Sequence, residues 1–410
     1  MRVLGAGLLL TALACSRAPA DFDAQQLAII NGHDDRLQAF EVPAETRAPL
    51  LGASAALVFA HHLREESDDS VLLRAPDASA AFGLCDGEAY ASEPVAAFCS
   101  AVLIDDDLVA TAGHCFGGDL EVAAHRCRSV RVVFGYALSA SDAPLELRAE
   151  RVFACRNVVA LDHEFAIVQL DRTATEPSAP RPIATASVRV GDALVVASHG
   201  AGLPLKVELA ADVTEIAQDS GALTLATDTF SGSSGGGVYN QALELVGLVE
   251  NGAPDWEAVE GCNRAAHAEV AQERAVDAHH LTKVVCDAGW PSLHLCNRPP
   301  MCGDGTCNGS EASSCQEDCP APRCGDWLCE QGERGACPED CARYADVPQS
   351  WLDDPEKFPR PRDSASPSLA AANGCSLSAG GNAALPPAWL AVLLLFSFGA
   401  HRRRERRTLR

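Results

Sequence analysis

Short apolar or alternating runs recur along the chain between Ile29 and about Cys296. Clusters of Gly, Pro, Asp and Ser separate these runs, as turns separate the strands of β proteins. The clearest runs are Ala101–Ile104, Leu108–Ala110, Val130–Phe134, Ala166–Leu170, Ala193–Ala197, Leu223–Ala226 and Leu245–Val249. Many short strands joined by turns predict an all-β sandwich or barrel. Ala265–Val285 is the one stretch whose pattern suits a helix, and it comes late in this region.

Residues 1–20 have the three parts of a secretory signal peptide. Arg2 supplies a positive charge, Leu4–Ala14 is apolar, and Ala18-Pro19-Ala20 is similar to a cleavage site. Cys15 offers a lipoprotein anchor as an alternative, although Leu13 stands one position late for that signal. Both interpretations predict that the chain is exported.

The C-terminal residues 374–410 combine a small motif, an apolar stretch and a basic tail. Gly374-Cys375-Ser376 precedes the apolar stretch Leu385–Ala400, and a cluster of arginines follows it from Arg402 to Arg407. A membrane span needs about 17–25 residues, so this stretch is short. The combination resembles the C-terminal sorting tails of myxobacterial surface proteins, which implies cleavage near the small motif and transfer to the cell surface. A plain membrane anchor is the alternative, and both predict an envelope or surface location.

Residues 297–341 contain two copies of one cysteine-rich unit, and every repeated position is shifted by 22 residues. The four cysteines of each copy allow two disulfides in any of three connectivities. Repeated acids are either calcium ligands or solvated surface charge. These acids are Asp304, Glu311 and Asp318 in the first copy and Asp326, Glu333 and Asp340 in the second. Residues 342–373, rich in Pro, Ser, Asp and Ala, predict a disordered linker.

Composition limits the classes of protein that the chain can belong to. A chain of 410 residues predicts two or more domains. The net charge of −24 argues against nucleic-acid binding, because phosphates would be repelled. The 18 cysteines favour an oxidising compartment, which agrees with export.

Two short motifs carry candidate chemistry. His114 lies in the small-residue turn Thr111-Ala112-Gly113-His114-Cys115, and Ser234 lies in the glycine-rich run Gly232–Gly237. A serine hydroxyl becomes a good nucleophile when a positioned imidazole takes its proton. Flanking glycines permit positive φ angles and a close approach of the backbone to a substrate. His114 is therefore a candidate general base and Ser234 a candidate nucleophile, with Ser233 as the alternative.

These motifs, in the chain order His, acid, Ser, resemble those of the trypsin-like serine peptidases, and more closely their compact bacterial branch. The resemblance covers about residues 29–296 and implies two packed six-stranded antiparallel β-barrels with a late C-terminal helix. It implies a disulfide between Cys99 and Cys115, and an oxyanion hole formed by the N–H groups of Gly232 and Ser234. It also implies a propeptide, residues 21–28, cut before Ile29, although Ser233 stands where the family has the aspartate that pairs with the new N-terminus. The alternative is that Ile29 only opens the first strand.

The acid of the triad departs from the family pattern. The apolar strand Phe165–Leu170 matches the strand that usually follows the aspartate, and Glu164 stands in the aspartate's place. A glutamate can orient an imidazole through the same hydrogen bond. Asp162 is the alternative acid, and a third interpretation is that neither residue acts and activity is low.

Substrate preference is encoded at two places. Asp228 lies six residues before Ser234, where trypsin-like members have the acid that pairs with Arg or Lys, or it only organises the loop. Glu250-Asn251-Gly252 is the candidate edge strand for an extended peptide, and Glu250 favours a cationic one.

Proximity along the chain suggests the disulfides Cys127–Cys155 and Cys262–Cys286. The histidine pairs His61-His62 and His279-His280 are interpreted as solvated residues, since no third metal ligand accompanies them.

The sequence thus predicts a secreted, surface-anchored serine endopeptidase, monomeric, that acts on proteins or peptides through an acyl-enzyme. No cofactor is required for this chemistry, and the sorting machinery is the expected partner of the C-terminal tail. The alternative is a weakly active or inactive peptidase-like adhesion or binding protein.

Overall fold

The computed structural model describes residues 30–31, 33–67, 69–141, 143–175, 177–251, 255–268, 273–290 and 292–296, together with Cys302 and Cys315. The predicted signal peptide, propeptide, linker and sorting tail lie outside these residues. So do the cysteine repeats, apart from Cys302 and Cys315, which form a disulfide. Within the described ranges no helix is long and apolar enough to cross a membrane.

The described residues form mostly strands. In chain order the strands are β1 Ile30–Asn31, β2 Leu37–Gln38, β3 Ser54–Phe59, β4 Leu63–Ser67, β5 Ser70–Leu73, β6 Ala97–Asp105, β7 Leu108–Ala112, β8 Val130–Phe134, β9 Leu147–Arg148, β10 Val152–Leu161, β11 Phe165–Leu170, β12 Ala193–Ser198, β13 Lys206–Ile216, β14 Leu223–Ala226, β15 Gly237–Tyr239, β16 Leu245–Asn251, β17 Trp256–Val259, β18 Cys262–Ala265, β19 His267–Ala268 and β20 Glu273–Asp277. The helices are α1 Ala44–Ala53, α2 Ala78–Phe82, α3 Leu120–Ser129, α4 His279–Asp287 and α5 Leu293–Cys296.

Two antiparallel barrels of six strands each account for the core of the fold. The first barrel closes in the order β10-β11-β7-β6-β3-β8. The second runs β12-β15-β16-β20-β14-β13 and closes through the pairing of β12 with β13, while β2 adds to the edge of β13. This confirms the predicted fold class, including the late helix α4.

Successive side chains of a strand point to opposite faces of the sheet, and in these strands both faces are buried. In β8, Val132 and Phe134 belong to the core inside the first barrel, and the intervening Val133 packs in a separate cluster with Tyr136. Residues of both barrels, among them Ile104 and Tyr239, share a third cluster with Leu281 of α4. This shared cluster packs the barrels against each other, so loops from each meet at one site.

Two expectations about elements and disulfides are wrong. The stretch 265–285 is not one helix, because β19 and β20 precede α4, and two further helices of ten residues each, α1 and α3, were not expected. Cys262 pairs with Cys85, and Cys286 pairs with Cys296, so the suggested Cys262–Cys286 bridge does not form. Pairing across 177 residues follows from the fold and cannot be read from proximity along the chain. The Cys127–Cys155 bridge is confirmed.

Candidate active site

The turn that carries His114 is fixed from three sides. β7 leads into a 3-10 turn, Gly113–Phe116, and the Cys99–Cys115 disulfide ties this turn to β6. The Gly113 N–H donates to the carbonyl of Glu164 at 3.2 Å. A Cβ on Gly113 would come 2.1 Å from the carbonyl oxygen of Asp162, so only glycine allows this close approach.

The His114 side chain is exposed, and among the described residues no side chain forms a hydrogen bond with its ring. The protein around the ring lowers the pKa of His114 by partial burial, and the charge of Arg126 lowers it further. Arg126, on α3, donates through its NH1 group to the carbonyls of His114 at 3.3 Å and Cys115 at 2.8 Å. The imidazole is therefore kept neutral, as a general base must be.

The turn that carries Ser234 connects β14 to β15 and distinguishes its two serines. Ser233 is 1% exposed, and its hydroxyl forms a hydrogen bond of 2.9 Å with the hydroxyl of Ser198. It also accepts the Phe230 N–H at 3.2 Å. Ser234 is half-buried, and its hydroxyl forms no hydrogen bond with the described residues. The Ser233 hydroxyl is thus used within the fold, while that of Ser234 is available.

Between Phe230 and Gly236, most backbone N–H groups have an acceptor. The N–H groups of Ser231, Ser233, Gly235 and Gly236 have acceptors at 2.6–2.9 Å, and Phe230 donates to the Ser233 hydroxyl. Of the N–H groups from Phe230 to Gly236, those of Gly232 and Ser234 have no acceptor within the described part of the chain. Two free N–H donors on either side of one residue can stabilise a developing oxyanion.

The His114 turn and the Ser234 turn are in direct contact. The Ser234 carbonyl accepts the Ser100 N–H at 2.8 Å, and the Sγ of Cys115 lies 3.8 Å from the same oxygen. A Cβ on Gly235 would come 2.3 Å from Oγ1 of Thr111, three residues before His114. The fold therefore brings the histidine motif of the first barrel against the serine motif of the second.

Neither candidate acid forms a hydrogen bond with the His114 ring. The Asp162 carboxylate accepts the N–H groups of Glu164 and Phe165, each at 2.8 Å. The Glu164 carboxylate lies 3.4 Å from NH2 of Arg274 and 3.9 Å from Nδ1 of His280. The backbones of both acids lie next to the histidine turn, but their carboxylates have other partners.

Glu250 faces the same cation as Glu164. Arg274 is paired with the Glu250 carboxylate at 2.5 Å. Burial raises the pKa of Glu250, the charge of Arg274 opposes this, and Glu164 adds to the rise. Gly252 of the candidate edge strand lies outside the described residues, while Glu250 and Asn251 end β16.

Asp228 is 5% exposed and has several partners. Its Oδ2 accepts the Asp35 N–H at 3.1 Å, its own N–H donates to Glu208 at 2.9 Å, and Arg36 interacts with its charge. Arg36, Lys206, Glu208 and Asp228 line a pocket with a volume of about 10 Å³, so little space is open beside the Asp228 carboxylate.

The described residues offer no good metal site here. The one group of three whose ligand atoms lie within 4.8 Å of one another is Cys99, His114 and Cys115. The two sulfurs are joined in a disulfide and are therefore not thiolate ligands.

Sequence reasoning missed Ser100, Arg126 and Arg274. Ser100 contacts residues 132 and 134 positions away, and Arg274 meets Glu164 across 110 positions. No local sequence pattern predicts such contacts. Arg126 had a weak signal, since Asp119 precedes α3 and caps it by accepting the Val122 N–H.

Residues 99–248 match the model of the trypsin-like peptidase domain, and this segment contains both His114 and Ser234. The matched domain, in a chain with this two-barrel fold, supports a serine-type endopeptidase as the class of the protein.

Comparison with solved structures finds a Glu endopeptidase in complex with MPD, 16% identical, with 63% of this chain and 99% of that chain covered and a TM-score of 0.38. It also finds a serine endoprotease from Yersinia pestis, 14% identical, with 60% and 67% covered and a TM-score of 0.36. Identity and TM-score are too low for either to bear on what this chain does. No curated protein matches the chain.

Proposed function

We propose that this chain is an exported endopeptidase in which Ser234 is the nucleophile and His114 the general base. The observation that carries the proposal is the pair of N–H groups at Gly232 and Ser234, which have no acceptor among the described residues, in a turn packed against the His114 turn. A glycine-rich linker would not leave this pair free while satisfying the neighbouring donors.

The proposed reaction proceeds through an acyl-enzyme. The Ser234 Oγ attacks the peptide carbonyl carbon as His114 takes its proton, and the N–H groups of Gly232 and Ser234 hold the oxyanion. The C–N bond then breaks, and His114 returns the proton to the leaving amine. A water molecule, deprotonated by His114, hydrolyses the ester and frees Ser234.

Glu164 is the proposed acid, because its carbonyl accepts the Gly113 N–H and because it, and not Asp162, stands directly before the strand where the family has its aspartate. To act in this role, the Glu164 carboxylate must leave Arg274 and form a hydrogen bond with the imidazole. We expect Glu164→Gln to lower kcat at least a hundredfold and Asp162→Asn much less, since an acid that orients the base contributes up to about 10⁴-fold. The reverse order would assign the role to Asp162, and an equal small loss would exclude both.

The preference for Arg or Lys at the cleaved position stays a prediction from Asp228 alone. The small volume beside Asp228 and the nearby Arg36 oppose it. Cleavage of a peptide library would decide, because a site governed by Asp228 would select these two side chains and lose that selection in Asp228→Asn.

Location and assembly belong to the same proposal. The disulfides of the described residues agree with an oxidising, extracytoplasmic compartment. Anchoring at the cell envelope, a monomeric state and calcium in the cysteine repeats remain part of the proposal.

The test is labelling of the full, disulfide-bonded chain with a fluorophosphonate, followed by mass spectrometry. We expect one label on Ser234, retained in Ser233→Ala and abolished in His114→Ala. A folded wild-type chain without label would contradict the proposal and favour the adhesion or binding protein.

A further inference from the structure

Ser100 lies at the point where the first barrel meets the Ser234 turn. It follows Cys99 in β6 and is 1% exposed. Its hydroxyl donates to the Gly232 carbonyl at 2.8 Å and accepts the His199 N–H at 2.8 Å. Its own N–H donates to the Ser234 carbonyl at 2.8 Å. One residue therefore holds the carbonyls of both residues whose N–H groups are free.

The Gly232 N–H lies in the peptide plane of the Ser231 carbonyl, and the Gly232 carbonyl belongs to the next plane, so the backbone of Gly232 is fixed when both planes are held. Around Gly232, one plane is held by the bond from the Ala201 N–H to the Ser231 carbonyl at 2.8 Å. The other plane is held by the Ser100 hydroxyl. Gly232 has a φ of 101°, a region that glycine enters and leaves easily, so the two anchors together hold this backbone conformation.

A second set of contacts prevents Ser100 itself from moving. Its carbonyl accepts the Thr111 hydroxyl at 2.6 Å, and Thr111 belongs to β7, the strand that leads to His114. The Cys99–Cys115 disulfide holds the preceding residue. Ser100 is thus fixed to the strand that leads to His114, while it holds the turn that carries Ser234.

We propose that Ser100 is a positioning residue, which holds the Gly232 and Ser234 carbonyls and so fixes the turn that carries both oxyanion donors. This inference rests on the proposed function and adds a residue to it. Ser100 does not touch the substrate, and it acts through the Gly232 carbonyl.

The test compares Ser100→Ala with Ser100→Thr, which keeps a hydroxyl, and with Ser292→Ala. Ser292 is a matched control, 1% exposed, whose hydroxyl accepts the Leu295 N–H at 2.9 Å at the start of α5. We expect Ser100→Ala to lower kcat at least tenfold with KM within about twofold, because a displaced oxyanion donor weakens the transition state more than the bound substrate. Ser100→Thr and Ser292→Ala should stay near wild type.

A peptide aldehyde gives a second readout, because its adduct with Ser234 carries the same oxyanion. Its affinity should fall in Ser100→Ala by about the same factor as kcat, while fluorophosphonate labelling of Ser234 still reaches completion. If Ser100→Ala does not fold, Ser100→Cys, a weaker donor, replaces it and should show a smaller loss of the same kind.

Unchanged kcat and aldehyde affinity in a folded Ser100 variant would overturn the inference. A loss confined to KM, or an equal loss in Ser292→Ala, would also overturn it. Failure of the proposed function is distinct, since the wild-type chain would then take no fluorophosphonate label.

Discussion

Gly235 marks the closest approach between the serine turn and the histidine strand. Its φ is +83°. A Cβ at this position would come 2.2 Å from the Ser100 carbonyl oxygen, 2.3 Å from Oγ1 of Thr111 and 2.9 Å from the Ala112 nitrogen. We predict that Gly235→Ala separates the two turns. It should lower kcat/KM far more than the accompanying loss of folding stability accounts for.

Two contributions make up the magnitude. A left-handed backbone conformation costs an alanine about 1–2 kcal/mol. Overpacking against fixed neighbours adds about 1–3 kcal/mol, and two of these three neighbours are backbone atoms that cannot rotate away. The turn relieves the overlap by moving about 1 Å, and a displacement of that size lowers kcat/KM by about 100-fold.

Gly191→Ala is the matched control, because Gly191 has a φ of +89° and a Cβ there would meet no atom within 4 Å. The assay is kcat/KM on a peptide substrate beside urea unfolding of both variants. Gly191→Ala should lose only the backbone contribution and keep its activity. If Gly235→Ala stays within about threefold of Gly191→Ala in kcat/KM, the close contact between the turns does not serve catalysis.

Two further predictions concern pH. Arg126→Gln removes a charge that lowers the pKa of His114, so the acid limb of the kcat/KM profile should move to higher pH. Arg126→Lys keeps the charge and should move this limb less. An unchanged or lower midpoint in Arg126→Gln would contradict the prediction. Burial lowers the pKa of His199 from 6.5 to about 3, so the unfolded chain binds an extra proton between these values and stability falls as pH drops through them. The loss amounts to about 4–5 kcal/mol at 1.36 kcal/mol per pKa unit. His199→Asn should flatten the dependence of unfolding free energy on pH over this range, and an unchanged slope would refute the assignment.

The strands could be predicted, and the two candidate catalytic residues could be singled out, because their signals are local. Val130–Phe134 alternates between two buried faces, and the glycines around Ser234 declare a turn with unusual backbone angles. The same holds for His114, whose small neighbours and adjacent cysteine form one short motif.

The remaining features depend on contacts between distant segments. Glu164 stands at the expected position, yet its carboxylate meets Arg274, which the second barrel brings from 110 residues away. Asp228 has the expected spacing, but the N-terminal segment supplies Asp35 and Arg36 as its neighbours. A spacing rule predicts where a residue lies in the chain and not which charges the fold places around it.

The central claim is that the His114 imidazole and the Ser234 hydroxyl act at one carbonyl group. A peptidyl chloromethyl ketone tests this directly, because the serine adds to its carbonyl while the histidine nitrogen displaces its chloride. Mass spectrometry of the full chain should find one inhibitor bonded to His114 in the wild type and almost none in Ser234→Ala. Alkylation of His114 at the same rate in both chains, or no alkylation of a folded wild-type chain, would contradict the account.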